Sequence, residues 1–109
     1  MIPVVNLRNK PWPAIHVYVG RTFAGFDAHP LANPFPITQD TEDCRQDILD
    51  RYRSWLWNRT NLHEELWQIW GDTEAGRFPL SCWCVPKLCH ATVIAEEAWK
   101  RFGGGLIEP

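Results

Sequence analysis

The sequence predicts an α/β domain: a small two-layer or three-layer Rossmann-like unit with a short, mainly parallel sheet and about three helices. Three observations predict it. The run Ala14-Ile15-His16-Val17-Tyr18-Val19 is β-branched and aromatic, as strands are. The run Leu80-Ser81-Cys82-Trp83-Cys84-Val85 is nearly all apolar, as expected of a buried central strand. Between them lie two segments with apolar residues at helical spacing. Strands separated by helices pair in parallel through a crossover.

Each element has its own signal. Val4-Val5-Asn6-Leu7 is a short first strand, and the prolines at 11 and 13 then break regular structure. Gly20 ends the second strand. Residues 21–40 form a long connection with Gly25, Pro30, Pro34 and Pro36 and no apolar period. Connections beyond about 12–15 residues without structure are uncommon and are often functional. Thr41 caps a helix with Glu42 and Asp43 in its first turn. Cys44, Ile48, Tyr52, Trp55 and Leu56 form its apolar face. Asn61, with Glu64 three residues on, opens a second helix in a capping-box pattern; Leu62, Leu66 and Ile69 or Trp70 face inward. Residues 71–76 are turn material. The last helix covers residues 90–102, with Ile94, Ala98 and Phe102 as its inner stripe flanked by Ala91 and Ala95, and three glycines end it.

Length favours one domain over residues 1–105, with 106–109 as a loose tail. At 45% hydrophobic and 22% charged, the 109 residues can bury one core without metals or disulfides. The net charge of -2 gives no general attraction for nucleic acid or anionic membrane, although Arg45, Arg51 and Arg53 are close enough to make a local basic patch. No apolar run approaches the roughly 20 residues that span a bilayer, and the N-terminus does not read as a signal peptide. A cytoplasmic protein is expected, with its four cysteines as thiols or metal ligands. Cys44 fits the helix face as a small core residue. Seven tryptophans are an excess for this length; most fill the core, and Trp12 and Trp83 are the candidates to line a pocket.

In parallel sheets ligands bind beyond the carboxyl ends of the strands. Those ends here are Gly20-Arg21 and Cys84-Val85-Pro86, so the two most unusual polar stretches arrive at one edge. The working surface is therefore the turn Cys84 to His90. Alternation points Cys82 and Cys84 to one face and Trp83 to the other. Cys89 and His90 fall where a helix begins, and its first N–H groups favour anions and thiolates. Four readings suit this turn. One is structural zinc on Cys82, Cys84, Cys89 and His90. Its spacing is poor: strand residues i and i+2 stand roughly 6–7 Å apart at about 3.3 Å per residue. Thiolates on zinc at about 2.3 Å must approach to roughly 3.8 Å. The second is a nucleophilic Cys84 or Cys89 with His90 or His16 as base. The third is a pocket for an anion-bearing, nucleotide-like molecule. The fourth is purely structural, with buried thiols and a satisfied histidine.

Taken together, Val17-Tyr18-Val19-Gly20-Arg21, Asn33-Pro34-Phe35-Pro36-Ile37, Tyr52-Arg53-Ser54-Trp55-Leu56 and Cys82-Trp83-Cys84-Val85-Pro86 with Cys89-His90-Ala91 resemble domain-of-unknown-function family 4326, small proteins of phages and bacteria. The resemblance covers about residues 4–99. It implies a compact α/β protein, often phage-encoded and so acting in host cytoplasm. Arg21, Asn33, Cys84, Cys89 and His90 are its recurrent polar positions, and it brings no established activity. The chain departs from that pattern in its tryptophan-rich middle helix and its longer segment between Arg21 and Asn33.

The expected function is binding, with or without chemical change, of a nucleotide-like molecule. The pocket would be formed by Arg21, Asn33, Phe35, Trp83, Cys84, Cys89 and His90, with Cys84, Cys89 and His90 as the catalytic candidates. Arg21 would take a phosphate through two donors, and Asn33 a base or sugar edge. The alternative is a protein-binding inhibitor of a host enzyme, anchored by exposed Trp57, Trp67 and Trp70, or a homodimer through that patch.

Overall fold

A computed structural model describes residues 1–23, 25–35, 41–83 and 89–103. Its sheet has three strands, β1 (Val4–Asn6), β2 (Val17–Tyr18) and β3 (Leu80–Cys82). The order is β1-β3-β2 with both pairings parallel, so the late, apolar β3 is central as its composition predicts. Val4 and Val17 both lie opposite Leu80. The helices are α1 (Glu42–Trp57), α2 (Leu62–Asp72) and α3 (His90–Ala98), the last running into a π-helical turn, Trp99–Gly103. The chain is thus a small α/β fold.

The second strand is shorter than its sequence suggests. Val17 donates to the Pro79 carbonyl, and the next rung toward the N-terminus would need an N–H from Pro79, which has none. Ile15 is accordingly half exposed and outside the ladder. At the other end, Val19 donates to Ser81 and Leu7 to Cys82, continuing the pairing beyond the assigned strands.

Side-chain alternation sorts the sheet into two faces. Val19, Leu80 and Cys82 enter the main core with Tyr52 and Leu56 of α1, Leu66 and Ile69 of α2 and Ile94 and Ala98 of α3. His16, Tyr18, Ser81 and Trp83 lie on the other face. An aromatic layer from the loops covers them: Trp12 and Phe26 pack against Trp83 and His16, and Phe26 stacks on Tyr18 at 4.6 Å. A parallel sheet needs both faces covered. Here tryptophan and phenylalanine do for one face what helices do for the other.

Helix ends follow the sequence in part. The Thr41 hydroxyl accepts from the Cys44 amide at 3.2 Å, the expected cap. The capping box at α2 does not form: the Asn61 side chain makes no cap bond. Glu65, not Glu64, turns back, and both its oxygens take Arg59 at 2.8 and 2.6 Å. The last helix was expected to stay α-helical through Phe102. It widens instead at Trp99, where the Gly103 backbone lies so close to the Trp99 and Trp70 rings that a Cβ would sit 2.8 and 2.9 Å from them.

Candidate functional site

The carboxyl edge of the sheet is built on a latch. His90, at the start of α3, donates from Nε2 to the Val19 carbonyl at 2.6 Å. A carbonyl only accepts, so the proton sits on Nε2, and in the neutral ring Nδ1 is the acceptor. Nδ1 faces the Cys89 sulfur at 3.6 Å. Cys89 in turn lies 3.0 Å from Cys82 on the central strand. The adjacent Cys89 and His90 therefore do face one another, which their sequence spacing alone does not require. All three side chains are buried.

Around this latch the described part of the long connection, up to Phe35, is tied down point by point. The Tyr52 ring stands edge-on to His90, and its hydroxyl donates to the Leu31 carbonyl at 2.7 Å. Burial first, then the neighbouring Cys89, holds the phenol protonated well above its ordinary range. The His29 amide donates to the Gly20 carbonyl, and its Nδ1 accepts from the Leu31 amide at 3.0 Å. Burial pushes the His29 imidazole below its usual pKa, only partly offset by the Glu65 charge. Arg21 donates from Nε to the Asn33 carbonyl and from Nη2 to the Phe35 carbonyl, both at 2.6 Å. The Asn33 side chain accepts from the Phe35 amide at 3.0 Å.

The expected site residues thus fall into three groups. Arg21, Asn33 and Phe35 come together as one hydrogen-bonded loop, and Arg21 begins two residues beyond the carbonyl that His90 holds. Two of the Arg21 donors grip this loop instead of facing outward. Cys82, Cys89 and His90 form the second group, behind the loop. Cys84 lies outside the described residues, as do Pro36, Ile37 and the tail. Trp83 is apart from both groups: it points to the aromatic face with Trp12 and Phe23. His16 is on that face too, 2.8 Å from the Ser81 hydroxyl, so of the two histidines considered as base only His90 reaches a described thiol. Trp70 is a correction. It is half-buried against Trp99 and Phe102, whereas Trp57 and Trp67 are more than half exposed. Its inward stripe position on α2 had already allowed this.

The sequence missed other contributors. Arg8, just past β1, reaches across the edge to the Trp83 carbonyl at 2.9 Å. Tyr52 reads as plain core from its spacing; the available signal was that a buried phenol must find an acceptor. A cleft of about 480 Å³ also opens beside Phe35, lined among the described residues by Arg51, Ser54, Trp55, Asn58 and Arg59. A larger one, about 790 Å³, follows the outer edge of β1 between residues 1–6, Pro11 and Pro13 and the α3 residues Thr92 and Ala95.

Chemically, the latch offers a base–thiol pair whose imidazole is oriented by a carbonyl, the arrangement that activates a cysteine. It is closed over by its own neighbours. Among the described residues, no three Cys, His, Asp or Glu side chains are grouped to hold a metal ion, and no helix is long and apolar enough to cross a membrane.

Comparison with known proteins yields a family but no characterised relative. No curated protein and no solved structure matches the chain. The family model described as Domain of unknown function (DUF4326) matches residues 5–100, nearly the whole of this α/β domain and every block around the latch, and the chain belongs to that family.

Proposed function

We propose that the chain binds a nucleotide-like small molecule at the carboxyl edge of its sheet, as a phage-type protein acting in host cytoplasm. One observation carries the reading. The His90 latch on Val19 and the Arg21 clamp on Asn33 and Phe35 bring two distant stretches to the same edge, where parallel sheets receive ligands. Elsewhere a connection this long would be loose. Here its described part, up to Phe35, is fixed by bonds from Arg21, Tyr52 and His29, which is how a binding loop is held ready. Arg21 sets the loop, and its remaining Nη1 points the role toward an anion. Cys89 and His90 stand buried behind the loop as the thiol–imidazole pair, the candidates should the bound molecule also be modified.

A thermal-shift screen with nucleotides, cyclic nucleotides and zinc tests this. A ligand at a hundred times its Kd stabilises by about 2.7 kcal/mol. A shift with a nucleotide that Arg21→Ala removes supports the reading; no shift with any nucleotide overturns it. A shift with zinc, together with close to one equivalent of metal in protein purified under reducing conditions, would point instead to a structural metal on the cysteine turn.

A second reading has its own observation. Trp57 and Trp67 are 58% and 59% exposed, unusual for such large rings, and aromatic anchors of this kind mark protein interfaces. Light scattering on the isolated chain, and again after Trp67→Ala, separates a self-associating patch from a monomer.

A further inference from the structure

The cleft beside Phe35 is open to solvent, whereas the side chains of the latch are buried. Its volume of about 480 Å³ lies in the range of small-molecule pockets. Its walls combine two aromatic rings, Phe35 and Trp55, with two guanidinium groups and the polar side chains of Ser54 and Asn58.

The two guanidinium groups differ in what they have left to give. Arg59 has its charge matched: Glu65 takes its Nε and Nη2 through both oxygens, and its guanidinium carbon lies over the Trp55 ring at 4.8 Å. It positions Trp55, with Tyr52 tilted against that ring at 5.5 Å. Among the described residues Arg51 pairs with Asp47 at 3.1 Å, with side chains 64% and 62% exposed. Such a pair is weak and exchanges readily for a better anion. Phe35 is placed from the other side by Arg21 and Asn33. Asn58, a lining residue, donates from Nδ2 to the Ser54 carbonyl at 2.8 Å, which fixes its amide at the cleft and leaves Oδ1 as its acceptor.

We propose that this cleft is the seat of a nucleoside monophosphate: Arg51 takes the phosphate, the base packs against Phe35 and the edge of Trp55, and Ser54 and Asn58 meet its polar edge. Among the described lining residues Arg51 is the one loosely held cation, which favours one phosphate over a di- or triphosphate. Arg21, Asn33 and Arg59 are positioning residues. This rests on the nucleotide reading above and gives it an address one helical turn from Tyr52, whose ring packs on His90.

Calorimetric titration with the four common ribonucleoside monophosphates, adenosine, adenosine triphosphate and inorganic phosphate tests it, on the native chain, Arg51→Ala, Arg51→Lys and Ser54→Trp. Arg51 and Ser54 are exposed, and circular dichroism verifies that each variant is folded. The expected result is a monophosphate bound more tightly than its nucleoside or triphosphate. Loss of a charge-assisted contact should weaken it roughly tenfold or more in Arg51→Ala, and lysine should restore part. The bulky Ser54→Trp should block the cleft. If a monophosphate binds all four proteins alike, the cleft is not its seat and the inference fails while the nucleotide reading stands. If no nucleotide binds the native chain, both fall.

Discussion

At the scale of single residues, the buried polar groups decide most. His90 loses a bond to Val19 and a packing partner in Tyr52 when truncated. Leaving a buried carbonyl without its donor costs about 1–3 kcal/mol. His90→Ala should therefore lower the free energy of urea unfolding by about that amount, seen as a lower midpoint at unchanged slope, and His90→Gln, which can still donate, should lose less. His29 makes stability pH-dependent. Its ring is kept neutral in the fold, because burial resists charge and Nδ1 must accept the Leu31 amide. In the unfolded chain it protonates near its ordinary 6.5. Below that value the unfolded chain holds more protons, so stability falls with acid until the lower folded pKa is passed. Urea unfolding at stepped pH should show this slope, and His29→Gln should flatten it. These roles were only half legible. That Cys89 and His90 open a helix follows from Pro86 and the apolar stripe after them. That His90 bonds Val19, 71 positions earlier, depends on tertiary placement that no local pattern encodes.

At the scale of elements, caps and staples carry the predictions. Thr41→Ala removes the hydroxyl that takes the Cys44 amide and should cost about 1 kcal/mol by chemical denaturation. The Arg59–Glu65 fork joins the end of α1 to the start of α2, and Glu65 holds the guanidinium charged more firmly than usual. Glu65→Gln should destabilise by about 0.5–1 kcal/mol, less at high salt, since both side chains are only partly shielded. Periodicity placed all three helices and most of their inward faces; on α1 it missed the buried Leu49, and Cys44, expected in the core, is only half-buried near the helix start. It failed at α2's cap, where the carboxylate one position later had a cation within reach. It failed again at the last turn, where Gly103 packs on two tryptophan rings. Strand length was overread for β2 because β propensity ignores the partner, and the partner ends in Pro79.

At the scale of the molecule, the prediction of parallel neighbours held, since β2 and β3 pair as their separation by helices implied. What composition could not give was the cover on the second face. Aromatic loop residues supply it, and the tryptophan excess is partly explained by that layer. The strand order has a further consequence. β1 and β2 are not neighbours in the sheet; among the described residues each pairs with β3, which begins at Leu80. A ribosome delivering this chain from its N-terminus releases two strands that have nothing to pair with until most of the polypeptide has emerged. A fragment ending at residue 79 should accordingly show helical dichroism at most and none of the dispersed amide resonances of a sheet. Assembly then waits on one short, late, greasy segment, so errors in translation or premature release upstream of it leave a chain with unmatched edges, the kind that cellular quality control removes.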